Sequence, residues 1–122
     1  DSHGTSILLV THDLGVVAQS CTRAMVMYCG RLVEHSDYSS LYRSPRHPYT
    51  EGLLASVPRV GHGRPSYARP IPGRVPTVAD FSAGCQFADR CTRADEQCRA
   101  KFPPFQRIGL SRVACHHPLG KA

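Results

Sequence analysis

Between Pro58 and Pro76 the chain carries five of its ten prolines and three of its ten glycines, with Arg59, Arg64, Arg69 and Arg74 set among them. Proline fixes φ and removes a backbone donor, so at that density neither a regular helix nor an interior strand forms. The stretch reads as an extended connector, and whatever folds must lie before it or after it. Charge divides at nearly the same place. Residues 1–60 hold five arginines against five acids; residues 61–122 hold eight arginines and two lysines against four acids, which is the whole net +6. Two of the six cysteines fall in the neutral part and four in the basic part. The expected organisation is an α/β segment over 1–57, a Pro/Gly/Arg-rich connector over 58–80 and a four-cysteine extension over 81–122. The longest wholly aliphatic run, Ile7 to Val10, is far short of the ~20 residues that cross a bilayer, and no leader-type pattern opens the chain.

Ser6-Ile7-Leu8-Leu9-Val10 is an unbroken apolar run ended by Thr11-His12-Asp13, the pattern of a strand buried on both faces of a parallel sheet. Asp13 is placed to cap a helix over Leu14 to Ser20, with Leu14, Val17 and Cys21 on its apolar face. Strand, polar tip and helix make half of a βαβ unit. Arg23 to Tyr28 and Arg31 to His35 read as two strands joined at Cys29-Gly30. Asp37 can cap a short helix through Leu41 and Tyr42 that Pro45 stops. Pro48 suits the first position of another helix, with Tyr49, Leu53, Leu54 and Val57 as its apolar face. After Phe81 there is little periodicity, and the extension reads as small and irregular.

His12 would stand at the carboxyl end of a parallel strand, where open α/β sheets gather ligands. An imidazole there can donate one N–H to an anionic oxygen while a neighbour orients its other nitrogen. The plain alternative is a polar strand end with Asp13 as a simple helix cap, and spacing alone favours it. A resemblance shifts the balance. Residues 5–57, from T-S-I-L-L-V-T-H-D through V-M-Y-C-G-R-L-V-E-H to S-P-R-H-P-Y-T-E-G-L-L-A-S-V-P, resemble the end of an ATP-binding-cassette ATPase, and the H-P-Y-T element narrows this to importers of dipeptides, oligopeptides or nickel. The fold implied is the C-terminal part of a P-loop-type ATP-binding-cassette domain. The resemblance places the switch-loop histidine, which contacts the γ-phosphate and the attacking water, at His12. It implies ATP with Mg²⁺, a second ATPase subunit, two membrane permeases, an extracytoplasmic solute-binding protein acting indirectly, and a place on the cytoplasmic face of a bacterial or archaeal cell membrane. The chain has no Gly-rich loop ending in Lys-Ser or Lys-Thr; its lysines are Lys101 and Lys121. Nor does it hold the family's glycine-rich signature or the Asp-Glu after the preceding strand. The isolated chain is therefore expected not to hydrolyse ATP.

Cys85, Cys91, Cys98 and Cys115 are spaced C-x5-C-x6-C-x16-C. Structural zinc sites usually show a tight C-x2–4-C pair, which is missing here, although His116 and His117 offer further ligands. Disulfides need an oxidising compartment. A [4Fe–4S] cube tolerates wider spacings, yet this is neither common ferredoxin pattern. Spacing favours a metal site over disulfides and leaves the metal open. The tract from I-P-G-R-V-P through G-C-Q-F-A-D-R-C to V-A-C-H-H also resembles the C-terminal extension of the same importer ATPases, and that resemblance implies a [4Fe–4S] cluster on these four cysteines. Arg90, Arg93, Arg99 and Arg112 are candidates to offset its negative charge, with a solvated basic face as the plainer reading. Cys21 and Cys29 read as small hydrophobes, His116 and His117 as surface or supporting residues, and His47-Pro48-Tyr49 as packing the extension against the ATPase body. The rival function is a zinc-binding module with a basic nucleic-acid surface. Sparse aromatics and the lack of a nucleic-acid motif speak against it, so nucleic acid is not expected as a partner.

Overall fold

The computed structural model describes residues 3–57 and 69–120. Residues 58–68 of the expected connector lie outside them. The elements run α1 (Leu14–Ser20), β1 (Arg23–Tyr28), β2 (Arg31–Asp37), α2 (Tyr38–Arg43), α3 (Pro48–Ala55), α4 (Glu96–Ala100), β3 (Gln106–Ile108) and β4 (Ser111–Val113), with single 3₁₀ turns at Val78–Asp80 and Ala88–Arg90. One four-stranded sheet has the order β1-β2-β4-β3, and every pairing is antiparallel.

The local signals before the connector work as their chemistry requires. Asp13 Oδ1 accepts from the backbone N–H groups of Gly15 and Val16 and starts α1. Asp37 Oδ2 accepts from Ser40 N–H at 2.9 Å and starts α2. Leu14, Val17 and Cys21 are the half-buried positions of α1 and its C-cap. Cys29 (φ 50°) and Gly30 (φ 75°) both take the left-handed conformation that a two-residue hairpin connection demands.

Two expectations are corrected. Ile7 to Val10 forms no strand: Ile7, Leu8 and Val10 are more than four-fifths exposed. A strand covered on both faces needs a ladder partner on each edge, and no described residue pairs with this run. The sheet is accordingly antiparallel, without the parallel βαβ unit. The extension, expected to be irregular, instead contributes half of the sheet through the β3–β4 hairpin turning at Gly109. β4 pairs with β2 at Glu34↔Val113 and His35↔Arg112, and Ala114 N–H continues the contact to Val33 O at 2.9 Å.

The core follows the same seam. Val26, Tyr28, Val33 and Leu41 pack with Phe87 of the extension, and Tyr49, Leu53 and Ile71 border them. Tyr28 meets Tyr49 at 4.6 Å and Phe87 at 5.3 Å between ring centroids, the second edge-on, a geometry that suits ring quadrupoles. Arg90 reaches from the extension to Tyr28 Oη and to the carbonyls of Ile71 and Pro72, pinning the described end of the connector to β1. Arg46 Nη1 donates to Leu119 O while Leu119 N–H donates to Arg46 O.

Glu34 lies where these contacts meet. Its side chain is fully buried, and its carboxylate accepts from the backbone N–H groups of Arg46 (2.9 Å) and His47 (2.7 Å), the residues that lead into α3. Burial pushes its carboxyl pKa up, and those N–H groups pull the other way. Replacing Glu34 by Ala strands two buried donors, so Glu34→Ala is expected to cost roughly 3–5 kcal/mol. Glu34→Gln, which keeps one acceptor oxygen, should cost less than half of that. Urea unfolding of both variants checks the ordering; equal losses would contradict it.

Candidate metal-cluster site

Four stretches of the extension bring four cysteines to one pocket. Cys85 lies in a loop held by the buried Gln86, whose Oε1 accepts from Ser82 N–H and whose Nε2 donates to Ser82 O and Gly84 O. Cys91 follows the 3₁₀ turn Ala88–Arg90, and Cys91 N–H donates to Ala88 O. Cys98 is inside α4, started by Asp95, whose Oδ1 accepts from Cys98 N–H at 3.1 Å. Cys115 comes just after β4, with its carbonyl held by Gln106 Nε2. A 2.7 Å bond from Cys85 N–H to Cys98 O joins the first and third stretches. The closeness of this approach depends on Gly84: a Cβ there would lie 2.4 Å from the carbonyl oxygens of both Cys98 and Arg99.

The pocket is lined by all four cysteines together with His47, Phe87, Arg93, Pro103, His116 and His117. None of the four thiols is disulfide-bonded. Burial raises the thiol pKa of Cys85, Cys98 and Cys115, the last to about 11, and each is raised further by its neighbours in the group. The group of ligand-type atoms that converges within 4.8 Å among the described residues is Asp95, Cys98 and His117. Three of the four cysteine sulfurs therefore do not close on a common point at that range. A tetrahedral zinc with Zn–S bonds of ~2.3 Å would hold its sulfurs about 3.8 Å apart, so the thiols as placed do not form a closed tetrahedral zinc site. The Asp95 group has its own explanation: Asp95 caps α4 and accepts from His117 Nε2 at 2.5 Å, and the Cys98 N–H bond is the foremost cause that draws its pKa down to about 2.

His47 closes the pocket from the side of α3. Its ring is 1% exposed and packs 5.9 Å from the Phe87 ring. Nδ1 accepts from Tyr49 N–H at 3.0 Å and caps α3, with Pro48 at the first helical position. Burial pushes its pKa down to about 4, so the ring is neutral near pH 7. Nε2 is buried with no hydrogen-bond partner.

His12 is placed elsewhere. It is exposed and does not border the cysteine pocket. The turn that carries it is ordered from both sides, because Asp13 N–H donates to Thr11 Oγ1 at 3.0 Å while Asp13 caps α1. Of the four arginines considered for charge balance, Arg93 borders the pocket. Arg90 is spent on the connector, Arg99 pairs with Asp89 at 2.6 Å, and Arg112 is exposed on β4. His116 Nε2 contacts Lys101 O at 2.7 Å, so both histidines after Cys115 have protein partners. Glu34 and Gly84 were not legible as site-builders, since each meets backbone groups distant in sequence; Gln86 acts locally, on Ser82 and Gly84, in a stretch without periodicity, and Arg90, expected to balance charge, instead ties the connector to β1.

Fold and site together define a small α/β unit in which a thiol-lined pocket is sewn to the antiparallel sheet that follows the T-H-D turn and α1. Residues 33–98 match the model of the family described as the oligopeptide/dipeptide transporter C-terminal region. The chain belongs to that family, as the C-terminal portion of an ATP-binding-cassette transporter ATPase subunit. It is 46% identical over 93% of its length to the probable peptide ABC transporter ATP-binding protein y4tR of Sinorhizobium fredii, covering 34% of that protein. Similarity extends to the oligopeptide transport ATP-binding protein OppD of Mycobacterium tuberculosis (44% identical, 94% of this chain, 19% of that protein). The dipeptide transport ATP-binding protein DppD of Haemophilus influenzae is 40% identical over 95% of this chain and 35% of its own. The chain thus spans about a third or less of the length of these relatives.

Because Gly84 admits no Cβ without moving two backbone carbonyls, Gly84→Ala is expected to destabilise the protein by about 2–3 kcal/mol. The same change at Gly109, which sits at φ +59° in open space, should cost about 1 kcal/mol from backbone strain alone. Thermal melts of both variants test the difference, and an unaffected Gly84→Ala melt would contradict the close approach.

Proposed function

We propose that this chain is the C-terminal portion of the ATP-hydrolysing subunit of a peptide importer, and that its four cysteines hold a [4Fe–4S] cluster binding the extension to the ATPase body. The observation that carries the cysteine assignment is that Cys85, Cys91, Cys98 and Cys115 all line one pocket without closing into a tetrahedral zinc site. The donor set fits: four thiols, a cationic Arg93 at the rim, and an unpartnered buried nitrogen on His47. When bound, such a cluster supplies four iron positions, one for each thiolate, and a redox-active anionic centre. The protein's part is to present four thiols from four stretches, to exclude water with Phe87 and Pro103, and to tie the frame to β2 and α3. We assign the cluster a structural or regulatory role.

His12 is the residue proposed to act in hydrolysis. Held between the Thr11 turn and the α1 cap, its ring can donate to a γ-phosphate oxygen and orient the attacking water, so that the presence of the phosphate is sensed at the start of α1. ATP with Mg²⁺ is the substrate, cradled by parts of the subunit that this chain does not contain. The exposed Ile7, Leu8 and Val10 support this arrangement, because neighbouring parallel strands of the same ATPase would cover them. A second ATPase subunit and two membrane permeases are the proposed partners, with a solute-binding protein outside the membrane acting through the permeases. The proposed location is the cytoplasmic face of the membrane. No helix among the described residues is long and apolar enough to cross a membrane, which suits a peripheral subunit. Peptides are the proposed solute in view of the names of the relatives; nickel has no comparable support.

Anaerobic loading with iron and sulfide should give a brown protein with a broad band near ~400 nm, which Cys98→Ser should weaken severely. A colourless protein that takes up one zinc instead would contradict the cluster. In the longer subunit, His12→Ala should abolish ATP hydrolysis while leaving ATP binding within about threefold, since the phosphate cradle is elsewhere. Retained turnover in that variant would remove His12 from the mechanism, and turnover by the isolated chain would contradict its dependence on the missing motifs.

A further inference from the structure

His47 has a hydrogen-bonding capacity that the protein does not use. Its Nδ1 accepts from Tyr49 N–H at 3.0 Å, so the lone pair is on Nδ1 and the neutral ring carries its proton on Nε2. That Nε2–H is buried, has no acceptor, and belongs to a ring that borders the pocket of Cys85, Cys91, Cys98 and Cys115. Buried donors are nearly always paired, and one left unpaired in an ordered core calls for an explanation. The ring cannot easily turn away. Glu34 holds His47 N–H at 2.7 Å, α3 holds Nδ1, and Phe87 packs against the ring face.

We propose that His47 Nε2–H donates a hydrogen bond to a sulfur of the group held by the four cysteines, making His47 a positioning residue that tunes this group's reduction potential. The inference rests on the cluster reading above and extends it to a specific side chain. Sulfide and thiolate sulfurs are acceptors without donors of their own, so they complement an orphan N–H. Donation to sulfur stabilises the more negatively charged, reduced state, which is one of the known ways a protein raises such a potential. The same histidine would then couple two ends of the fold: its backbone N–H answers to Glu34 on β2 and its side-chain N–H to the cysteine pocket.

The test compares iron- and sulfide-loaded wild type with His47→Asn. Asparagine can still cap α3 through its side-chain oxygen, but it has no group equivalent to Nε2–H. Cluster content should be retained in His47→Asn, and the midpoint potential from an optical redox titration should move to a more negative value. At a fixed potential near the wild-type midpoint, the oxidised-to-reduced ratio should rise by about threefold or more. A second measurement needs no variant: electron spin-echo spectra of the reduced wild-type cluster should show coupling to ¹⁵N-labelled histidine and to an exchangeable proton. An unchanged potential in a fully loaded His47→Asn protein, or no histidine coupling in the wild type, overturns the role of His47 and leaves the cluster assignment standing. Failure of the wild type to take up iron and sulfide overturns the cluster assignment itself, and this inference with it.

Discussion

A single buried carboxylate organises this molecule. Glu34 sits on the strand that joins the two halves of the sheet, opposite Val113 of β4, and its oxygens receive the backbone N–H groups of Arg46 and His47. A carboxylate without water is costly unless its lone pairs are filled by donors. Here the donors are the backbone N–H groups of Arg46 and His47 just before α3, which fill the carboxylate's lone pairs. The consequence is geometric. β2, the start of α3 and the strand that leads to Cys115 are all fixed relative to one point, and His47 is held with one edge on α3 and its ring on the cysteine pocket.

The connector divides the sequence but not the fold. β4 completes the sheet begun by β1 and β2, Phe87 fills the core against Tyr28 and Tyr49, and Arg90 ties Ile71 and Pro72 to Tyr28. Arg31 adds a further link by placing its guanidinium 4.3 Å over the Phe102 ring. The extension therefore behaves as part of one unit with residues 21–57. Residues 6–10 do not belong to that unit in the same way: they are apolar, exposed and unpaired among the described residues.

Much of the local structure was legible because its causes are local. Asp13, Asp37 and Pro48 mark helix starts through bonds that span two or three residues, and Cys29-Gly30 marks a hairpin through its own backbone geometry. The four cysteines were legible as a group from composition and spacing. What stayed hidden depends on partners remote in sequence. β3 and β4 are three residues each, too short for alternation to register, and their place in the sheet is decided by pairing with a strand about 78 residues away. Glu34 in V-E-H looks like an outward strand position, and only the path of residues 46 and 47 makes it an inward one. Gly84 looks like a loop residue, yet it lets the Cys85 turn touch α4; Gln86 braces that turn through the nearby Ser82 and Gly84, a local bond that no pattern in the stretch marks. The Ile7–Val10 run failed for the opposite reason: its pattern is that of a strand, but strand formation needs neighbours.

Because His47 is shared between them, the cysteine pocket and the Glu34–His47 junction should behave as one cooperative unit. Amide hydrogen exchange on the protein with and without iron and sulfide measures this directly. Loading should slow exchange at Cys85, Cys91 and Cys98 and, by a comparable factor, at the Arg46 and His47 amides and along β2 and β4. Slowing confined to the cysteine segments, with the β2–α3 junction unchanged, would contradict it.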